Sequence, residues 1–270
     1  MTQTDFTTED FSEKDITSGN LPNALLTAHA RETLSNCWGK AIQAILLYFG
    51  LAWGVSLMLI IPFVIVMILS HFSGADVKTV EELMQIGMRI IQILLAGAFA
   101  LGLARYFLLL SRKSKHLSLG EIFYGFRHFG TALSAYLQVL IRVLIGFILF
   151  IIPGIILSYR YALVYFILAE DSDTKVSEAL KQSAKLMRGK KWKFFCLQCR
   201  FIGWSILTLF TLGIGYLWLI PYMQTSFAKF YDDLLHTQPS DFLETEIADM
   251  GISSKNSSLP EKPDLNSESF

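Results

Sequence analysis

Long apolar segments constrain the fold of this chain more than any other feature of its sequence. They fall at about residues 41–70, 84–110, 131–152, 154–170, 193–213 and 216–235. A helix needs about 20 apolar residues to cross a hydrocarbon core about 30 Å thick. With 53% hydrophobic and 17% charged residues, the chain is too apolar for an ordinary soluble domain. The sequence therefore predicts an all-α polytopic membrane helix bundle.

Two boundaries between these segments lie inside longer apolar runs. Residues 131–170 as one helix would be about 60 Å long, twice the hydrocarbon thickness, so we place a turn at Ile152, Pro153 and Gly154. Gly213 and Gly215 divide the run from 201 to 228 in the same way. With these two turns the sequence predicts six transmembrane helices.

Basic residues predict the orientation of the bundle. Seven lie between the fourth and fifth predicted spans, at Lys175, Lys181, Lys185, Arg188, Lys190, Lys191 and Lys193. Basic residues next to membrane helices favour the cytoplasmic face, so we expect both termini in the cytoplasm. The polar, acidic N-terminal residues lack the pattern of a cleaved signal peptide. The predicted location is a cytoplasmic membrane.

Amphipathic stretches precede each pair of predicted spans. They are ARETLSNCWGK, HLSLGEIFYGFRHFG and DTKVSEALKQSAKLMRGKKW. In the second and third, the apolar face consists of Leu119, Ile122, Phe123 and Phe126, and of Val176, Ala179, Leu180, Ser183 and Met187. This spacing predicts helices that lie along the membrane interface. The chain thus reads as a weak threefold internal repeat, with units at about 24–110, 117–170 and 174–235.

The two ends of the chain differ in composition from the membrane domain. Residues 1–22 are polar and acidic, and residues 236–270 are rich in Ser, Asn, Pro and charge. Such segments cannot bury enough apolar surface to fold alone. We expect a disordered N-terminal segment at 1–22, a membrane domain at 23–235, and a largely disordered cytoplasmic tail at 236–270.

Four arginines lie within the predicted spans, namely Arg105, Arg142, Arg160 and Arg200, and no Asp or Glu lies deep in a span to pair with them. An unpaired charge at the membrane centre costs roughly 2.5–3.5 kcal/mol. Arg105 and Arg200 lie near cytoplasmic ends and can extend to the interface. Arg142 and Arg160 lie on hairpin partners and could face one cavity. Two interpretations stay open: contact with an anionic group such as a lipid phosphate, or hydrogen bonding to backbone and solvent.

No arrangement of residues typical of catalysis is present in the sequence. Cys196 and Cys199 have the C-x-x-C spacing, but the second ligand pair of a zinc site is missing. Histidines are scattered, and no general acid, base or nucleophile lies within the spans. We therefore predict no catalytic, cofactor or metal site, no enzymatic activity and no nucleic-acid partner. Ala96, Ala100 and Ala104, with nearby Gly97 and Gly102, predict close helix packing.

Motifs in the last third of the chain resemble a known family. They are Ser183, Leu186, Met187 and Gly189, then Phe201, Ile202, Gly203 and Trp204, then Gly213, Ile214, Gly215, Pro221 and Tyr222, and finally Phe230 and Tyr231. This pattern is similar to the bacterial integral-membrane family catalogued as domain of unknown function 975, and the resemblance extends over about residues 30–235. It implies a bacterial cytoplasmic membrane protein with several spans, and it implies no reaction.

From these observations we expect a binding or organising role within the bilayer. The expected partners are membrane lipids, with an anionic lipid contacting Arg142, Arg160, Arg105 or Arg200. The alternative is a small transporter or permease with a site where the repeat units meet. The sequence indicates neither a protein partner nor a substrate.

Overall fold

A computed structural model of the chain describes residues 21–35, 37–73, 77–115, 117–171, 173–211 and 213–236. Within these ranges the fold is all-helical, without a strand. A short 3-10 helix covers Leu119–Phe123. The α-helices are α1 (Asn23–Ser35), α2 (Trp38–Ser73), α3 (Val77–Ser111), α4 (Tyr124–Arg127), α5 (Phe129–Leu149), α6 (Ile151–Arg160), α7 (Val164–Glu170), α8 (Val176–Leu186), α9 (Lys191–Phe210) and α10 (Tyr216–His236).

Five helical segments are long and apolar enough to cross a membrane. They are α2, α3, α5, the combined segment α6–α7, and α9. The last helix, α10, has 21 residues but carries Lys229, Asp232 and Asp233, and it is not among the five. The predicted all-helical fold is therefore confirmed over the described residues, and the five apolar helices indicate a multi-pass membrane protein. The sixth span stays a prediction.

The two predicted turns both exist, and one lies slightly earlier than expected. Phe150 has an extended backbone and separates α5 from α6. Pro153 therefore lies outside this connection, within the first helical turn of α6. Proline is tolerated there because the first N–H groups of a helix have no partner within the helix. At the second turn, Gly213 has a φ of +84°, a conformation that glycine adopts without strain.

One end of the bundle is polar, and most of the remaining surface is apolar. Ion pairs lie at this polar end, defined by Arg112, Glu170, Lys193, Asp232 and Asp233. Large apolar side chains are exposed over the rest of the bundle, in an apolar belt at residues 46–72, 83–94, 137–156 and 202–218. Soluble proteins rarely expose an apolar surface of this extent, so the belt is the surface that lipid would cover.

The hairpins differ in how far they extend from the polar end. At a rise of 1.5 Å per residue, α2 and α3 are about 54 and 52 Å long, whereas α9 is about 30 Å long. Helix α10 packs beside the C-terminal third of α3, where Leu217 and Ile220 contact the cluster around Leu103 and Phe107. The α9–α10 hairpin therefore covers only the part of α3 nearest the polar end.

Each of the three predicted interfacial stretches contains helical residues, although the first is divided between α1 and α2. Their buried faces agree in part with the prediction. In α8, Ala179, Leu180 and Ser183 are buried, as expected. In α1 the buried face includes Ala30 and Leu34. The middle stretch differs because its first part is a 3-10 helix with about three residues per turn, so Ile122 and Gly125 point inward while Leu119 and Phe123 are exposed.

Small residues on α3 allow other backbones to approach closely. A methyl group at Gly102 would overlap the carbonyl of Ile122, and one at Gly97 would lie 2.5 Å from the carbonyl oxygen of Ala132. The predicted small-residue face of α3 is therefore used for packing. The proposed N-terminal segment at 1–22 and the tail at 236–270 lie almost wholly outside the described residues.

Candidate functional site

The polar end is held together by a branched ion pair around Arg112. Its Nη1 lies 2.8 Å from Glu170 Oε1 and its Nη2 lies 2.8 Å from Asp232 Oδ1. Partial burial lowers the pKa of Arg112, but hydrogen bonds and charges from Glu170 and Asp232 outweigh that effect, so the pKa lies above its ordinary value. The guanidinium thus joins the C-terminal ends of α3, α7 and α10 at one face of the bundle.

Hydroxyl and ammonium groups extend this cluster. The Tyr231 hydroxyl donates to the second oxygen of Glu170 at 2.7 Å, and Lys229 Nζ donates to the carbonyl of Ser111 at 2.6 Å. Next along the chain, the Asp171 side chain accepts hydrogen bonds from the Thr174 hydroxyl and the backbone N–H of Asp173, which lower the pKa of this exposed carboxyl group. Because most of these charges have partners, the arrangement is typical of structural polar contacts.

Arg105, the first of the four predicted arginines, contacts protein groups on three sides. Its Nε lies 3.5 Å from Glu121 Oε2, and its Nη1 donates to the backbone carbonyl of Ala169. The guanidinium also lies 4.9 Å from the centre of the Tyr124 ring. It therefore joins α3 to the 119–127 segment and to α7.

Arg142 and Arg160 both lie close to one aromatic ring. Each guanidinium carbon is 5.9 Å from the centre of the Tyr161 ring. Arg142 Nη1 also donates to the carbonyl and the side-chain oxygen of Gln138, one turn earlier in its own helix. The two arginines are therefore close to each other, but the cleft that Arg160 lines does not include Arg142 among its described residues.

Arg160 instead lines a cleft with other cations. This basic cleft has a volume of about 490 Å³ and is formed by Arg160, Lys181, Ala184, Lys185, Arg188 and Lys191. It lies between the end of α6, the basic face of α8 and the first turn of α9. None of these described lining residues is acidic. Five cations around one opening can bind a phosphate or another multivalent anion.

Arg200 lies in a different groove, the tryptophan groove, which has a volume of about 500 Å³. Its lining includes Arg31, Trp38, Arg200, Trp204, Trp218 and Tyr222. The Arg31 guanidinium lies 5.9 Å from the Tyr222 ring centre and 3.4 Å from its hydroxyl. Tryptophan is enriched where the bilayer meets water, so this groove has the composition of an interfacial site.

A third opening, the central cavity, has a volume of about 860 Å³, which is larger than that of the basic cleft or the tryptophan groove. Residues from α2, α3, α6, α7, α9 and α10 line it, so each of the three predicted repeat units contributes. Ala96, Ala100 and Ala104 border this cavity, whereas Gly97 and Gly102 face neighbouring backbones. The lining is mostly aromatic and aliphatic, with the polar side chains of Gln92, Gln198 and Gln224 among it.

Sequence reasoning missed three of these arrangements. Glu121, the partner of Arg105, lies in an amphipathic segment outside the predicted spans, so the lack of acidic residues within the spans did not indicate this ion pair. The basic cluster after the fourth span was identified, but its proximity to Arg160 depends on the fold. The central cavity left one signal in the sequence, which is the presence of Gln92, Gln198 and Gln224 in apolar segments.

The described residues contain no group of three or more His, Cys, Asp or Glu side chains that could hold a metal ion. Cys196 and Cys199, which have the C-x-x-C spacing, are both free thiols.

Comparison with known proteins identifies one similarity. Residues 137–238 match the family model described as "Protein of unknown function (DUF975)". The match covers α6 to α10 and most of α5, and it includes the motifs from Ser183 to Tyr231 that carried the resemblance. The predicted family is therefore confirmed over this segment. No curated protein and no solved structure matches the chain.

Proposed function

With residues 137–238 matched to the DUF975 family, we propose that the chain is a non-enzymatic, multi-pass protein of a bacterial cytoplasmic membrane that binds anionic lipid headgroups. The basic cleft around Arg160 is the binding site in this proposal. The role is one of binding or organising lipid within the bilayer. Nucleic acid and metal ions have no part in it.

The orientation in this proposal places the polar end in the cytoplasm. The basic residues of α8 and of the start of α9 lie near this end, and basic residues favour the cytoplasmic side. The chain also leaves and returns at the same face, because the backbone N–H of Leu21 donates to Asp233 at 3.3 Å. This contact supports an even number of crossings, and the proposal takes α10 as the sixth span and three helical units as the repeat.

The observation that carries the proposal is the concentration of basic residues around the cleft. Arg160, Lys181, Lys185, Arg188 and Lys191 line one opening of about 490 Å³ without an acidic residue among them. Like charges this close repel one another, and an anion between them relieves the repulsion. Each Lys or Arg near an anionic membrane surface contributes about 1 kcal/mol to binding. The arginines add bidentate hydrogen bonds to phosphate oxygens.

The position of Trp192 supports a lipid as the source of the anion. Its side chain is 72% exposed and follows Lys191, which lines the cleft. An exposed tryptophan beside basic residues is typical of the headgroup layer of a bilayer. The apolar belt begins nearby on α6, where Ile155 and Ile156 are exposed. A phospholipid could therefore place its phosphate in the cleft and its chains along this belt.

Retention of lipid by the purified protein tests the proposal. The full chain is purified in detergent, exchanged into mixed micelles of phosphatidylglycerol and phosphatidylcholine, and examined by native mass spectrometry. We expect preferential retention of phosphatidylglycerol, and about a tenfold loss of that preference in the double variant Arg160→Gln, Arg188→Gln. The matched control is Arg142→Gln, because Arg142 is hydrogen-bonded to Gln138 and does not line the cleft.

Competition with inorganic phosphate distinguishes a headgroup from a free anion. If phosphate displaces phosphatidylglycerol only at a high phosphate concentration, the lipid is the ligand. Displacement at a low phosphate concentration assigns the cleft to free phosphate and contradicts the lipid proposal. Equal retention in the double variant and the Arg142→Gln control also contradicts it.

A transporter or permease is the second candidate function. The observation that favours it is that the central cavity is lined by residues from all three proposed repeat units, because sites where repeats meet are common in transporters. Protein-dependent flux of a solute across proteoliposomes would support this candidate. Lipid retention at the basic cleft without flux would favour the binding role.

A further inference from the structure

We propose that the central cavity binds a neutral amphiphile, that is, a molecule with one apolar chain and an uncharged polar end that carries hydroxyl, ester or amide groups. This site is separate from the basic cleft, and its ligand differs in charge. The inference does not depend on anion binding or on transport. It rests on the position of the cavity, the absence of charge among its described lining residues, and three glutamine side-chain amides that form no hydrogen bond with another described residue.

The size and position of the cavity suit a small molecule. Its volume of about 860 Å³ lies within the range of about 300–1,000 Å³ that is typical of ligand pockets. It lies where α2 and α3 meet α6, α7, α9 and α10, and it is bordered at one edge by Ile155, which belongs to the apolar belt. A ligand could therefore enter from the lipid side of the bundle.

The lining excludes a charged ligand. Rings such as Phe99, Phe166 and Phe227 line the cavity, and its described lining residues include no Asp, Glu, Lys, Arg or His. A charged group placed here would lose its hydration without gaining a counter-charge, which is strongly unfavourable. The chemistry thus contrasts with that of the basic cleft, where every polar lining side chain is a cation.

Three glutamines supply the polar recognition. Gln92 on α3, Gln198 on α9 and Gln224 on α10 line the cavity, and no hydrogen bond joins their amides to another residue in the described part of the chain. Each amide can donate two hydrogen bonds and accept others. Polar groups without partners in an apolar surrounding are unfavourable, so a ligand hydroxyl, ester or amide would be bound here. The aromatic walls would cover the apolar chain.

Photocrosslinking tests the proposal with probes that differ only in charge. The full chain in nanodiscs of neutral lipid is irradiated with a monoacylglycerol that carries a diazirine in its chain, and separately with the matching fatty acid, which is anionic. We expect the neutral probe to label peptides of α3 and α9 that line the cavity, about tenfold more than the anionic probe does. Excess unlabelled monooleoylglycerol should remove this labelling.

Two kinds of variant distinguish labelling within the cavity from labelling on the lipid-facing surface. Ala100→Phe fills the cavity and should lower labelling by the neutral probe about tenfold, whereas Leu94→Phe, on the exposed side of the same helix, should not. If Ala100→Phe does not fold, Gln198→Leu with Gln224→Leu removes two of the three amides and should also lower labelling. Arg160→Gln should leave it unchanged.

Three results would overturn the inference. They are equal labelling by the neutral and anionic probes, labelling spread over the apolar belt that monooleoylglycerol does not compete for, and labelling that stays unchanged in the folded cavity variants.

Discussion

The ammonium group of Lys193 lies 2.8 Å from the Oδ2 oxygen of Asp233, whose side chain is only 2% exposed. This pair joins the first turn of α9 to the last turn of α10, and the other carboxylate oxygen of Asp233 accepts a hydrogen bond from the backbone N–H of Leu21. An ion pair therefore fixes the return of the last hairpin to the polar end and attaches the start of the described chain to it.

Lys193→Met should destabilise the protein by about 3 kcal/mol, because it leaves a buried carboxylate without its cation. The measurement is the free energy of unfolding in mixed micelles with an increasing fraction of SDS. Lys175→Met, which changes an exposed lysine at the start of α8, should change it by less than about 0.5 kcal/mol. Equal stability of the two variants would show that the pair does not stabilise the bundle.

Gly102→Ala should destabilise the packing of α3 against the 119–127 segment. The added methyl group would overlap the carbonyl of Ile122, so one backbone must move, at a cost of about 1–3 kcal/mol. Gly87→Ala is the matched control on the same helix, since nothing lies within 4 Å of its added methyl group. The control should stabilise α3 by about 0.5–1 kcal/mol. Shifts of the unfolding midpoint in opposite directions for the two variants, relative to the unchanged protein, would verify the close approach of the two backbones at Gly102.

Local sequence features predicted the helices and turns because their causes are local. Proline and glycine at 153, 154, 213 and 215 interrupt apolar runs that are too long for one span, and both hairpins turn at or near these residues. The displacement of the first turn to Phe150 has a simple origin: proline fits the first turn of the following helix, so the break precedes it. Sequence spacing alone does not distinguish these two placements.

The candidate sites were less predictable because they depend on contacts between distant segments. Arg105 is paired with Glu121, which lies in another helix, and Arg160 meets Lys181 and Lys185 only after α8 folds beside α6. The sequence identified all four arginines but could not distinguish those bound by protein groups from those that line a cleft. The three amides of the central cavity come from three separate helices, so no spacing rule connects them.

Cysteine labelling in intact cells tests the proposed orientation. In a chain whose three native cysteines are replaced by alanine, Asp173→Cys near the polar end should stay unlabelled by a membrane-impermeant maleimide, because the basic residues favour the cytoplasmic side. Lys78→Cys at the start of α3 lies at the opposite end of that helix and should be labelled. Labelling of both residues after cell lysis provides the control. The reverse pattern in intact cells would contradict the orientation.

Substitution of Arg105 should affect mainly stability, whereas substitution of Arg160 should affect mainly lipid binding. Arg105 contacts Glu121, Tyr124 and the carbonyl of Ala169, so Arg105→Met should destabilise the bundle by about 2–3 kcal/mol and leave the preference for phosphatidylglycerol unchanged. Arg160 lines the basic cleft, so Arg160→Met should lower that preference while the free energy of unfolding changes by less than about 0.5 kcal/mol. SDS unfolding and native mass spectrometry on the same preparations measure both quantities. If both variants lower stability and leave lipid retention unchanged, Arg160 has the same structural role as Arg105, and the basic cleft is not a lipid site.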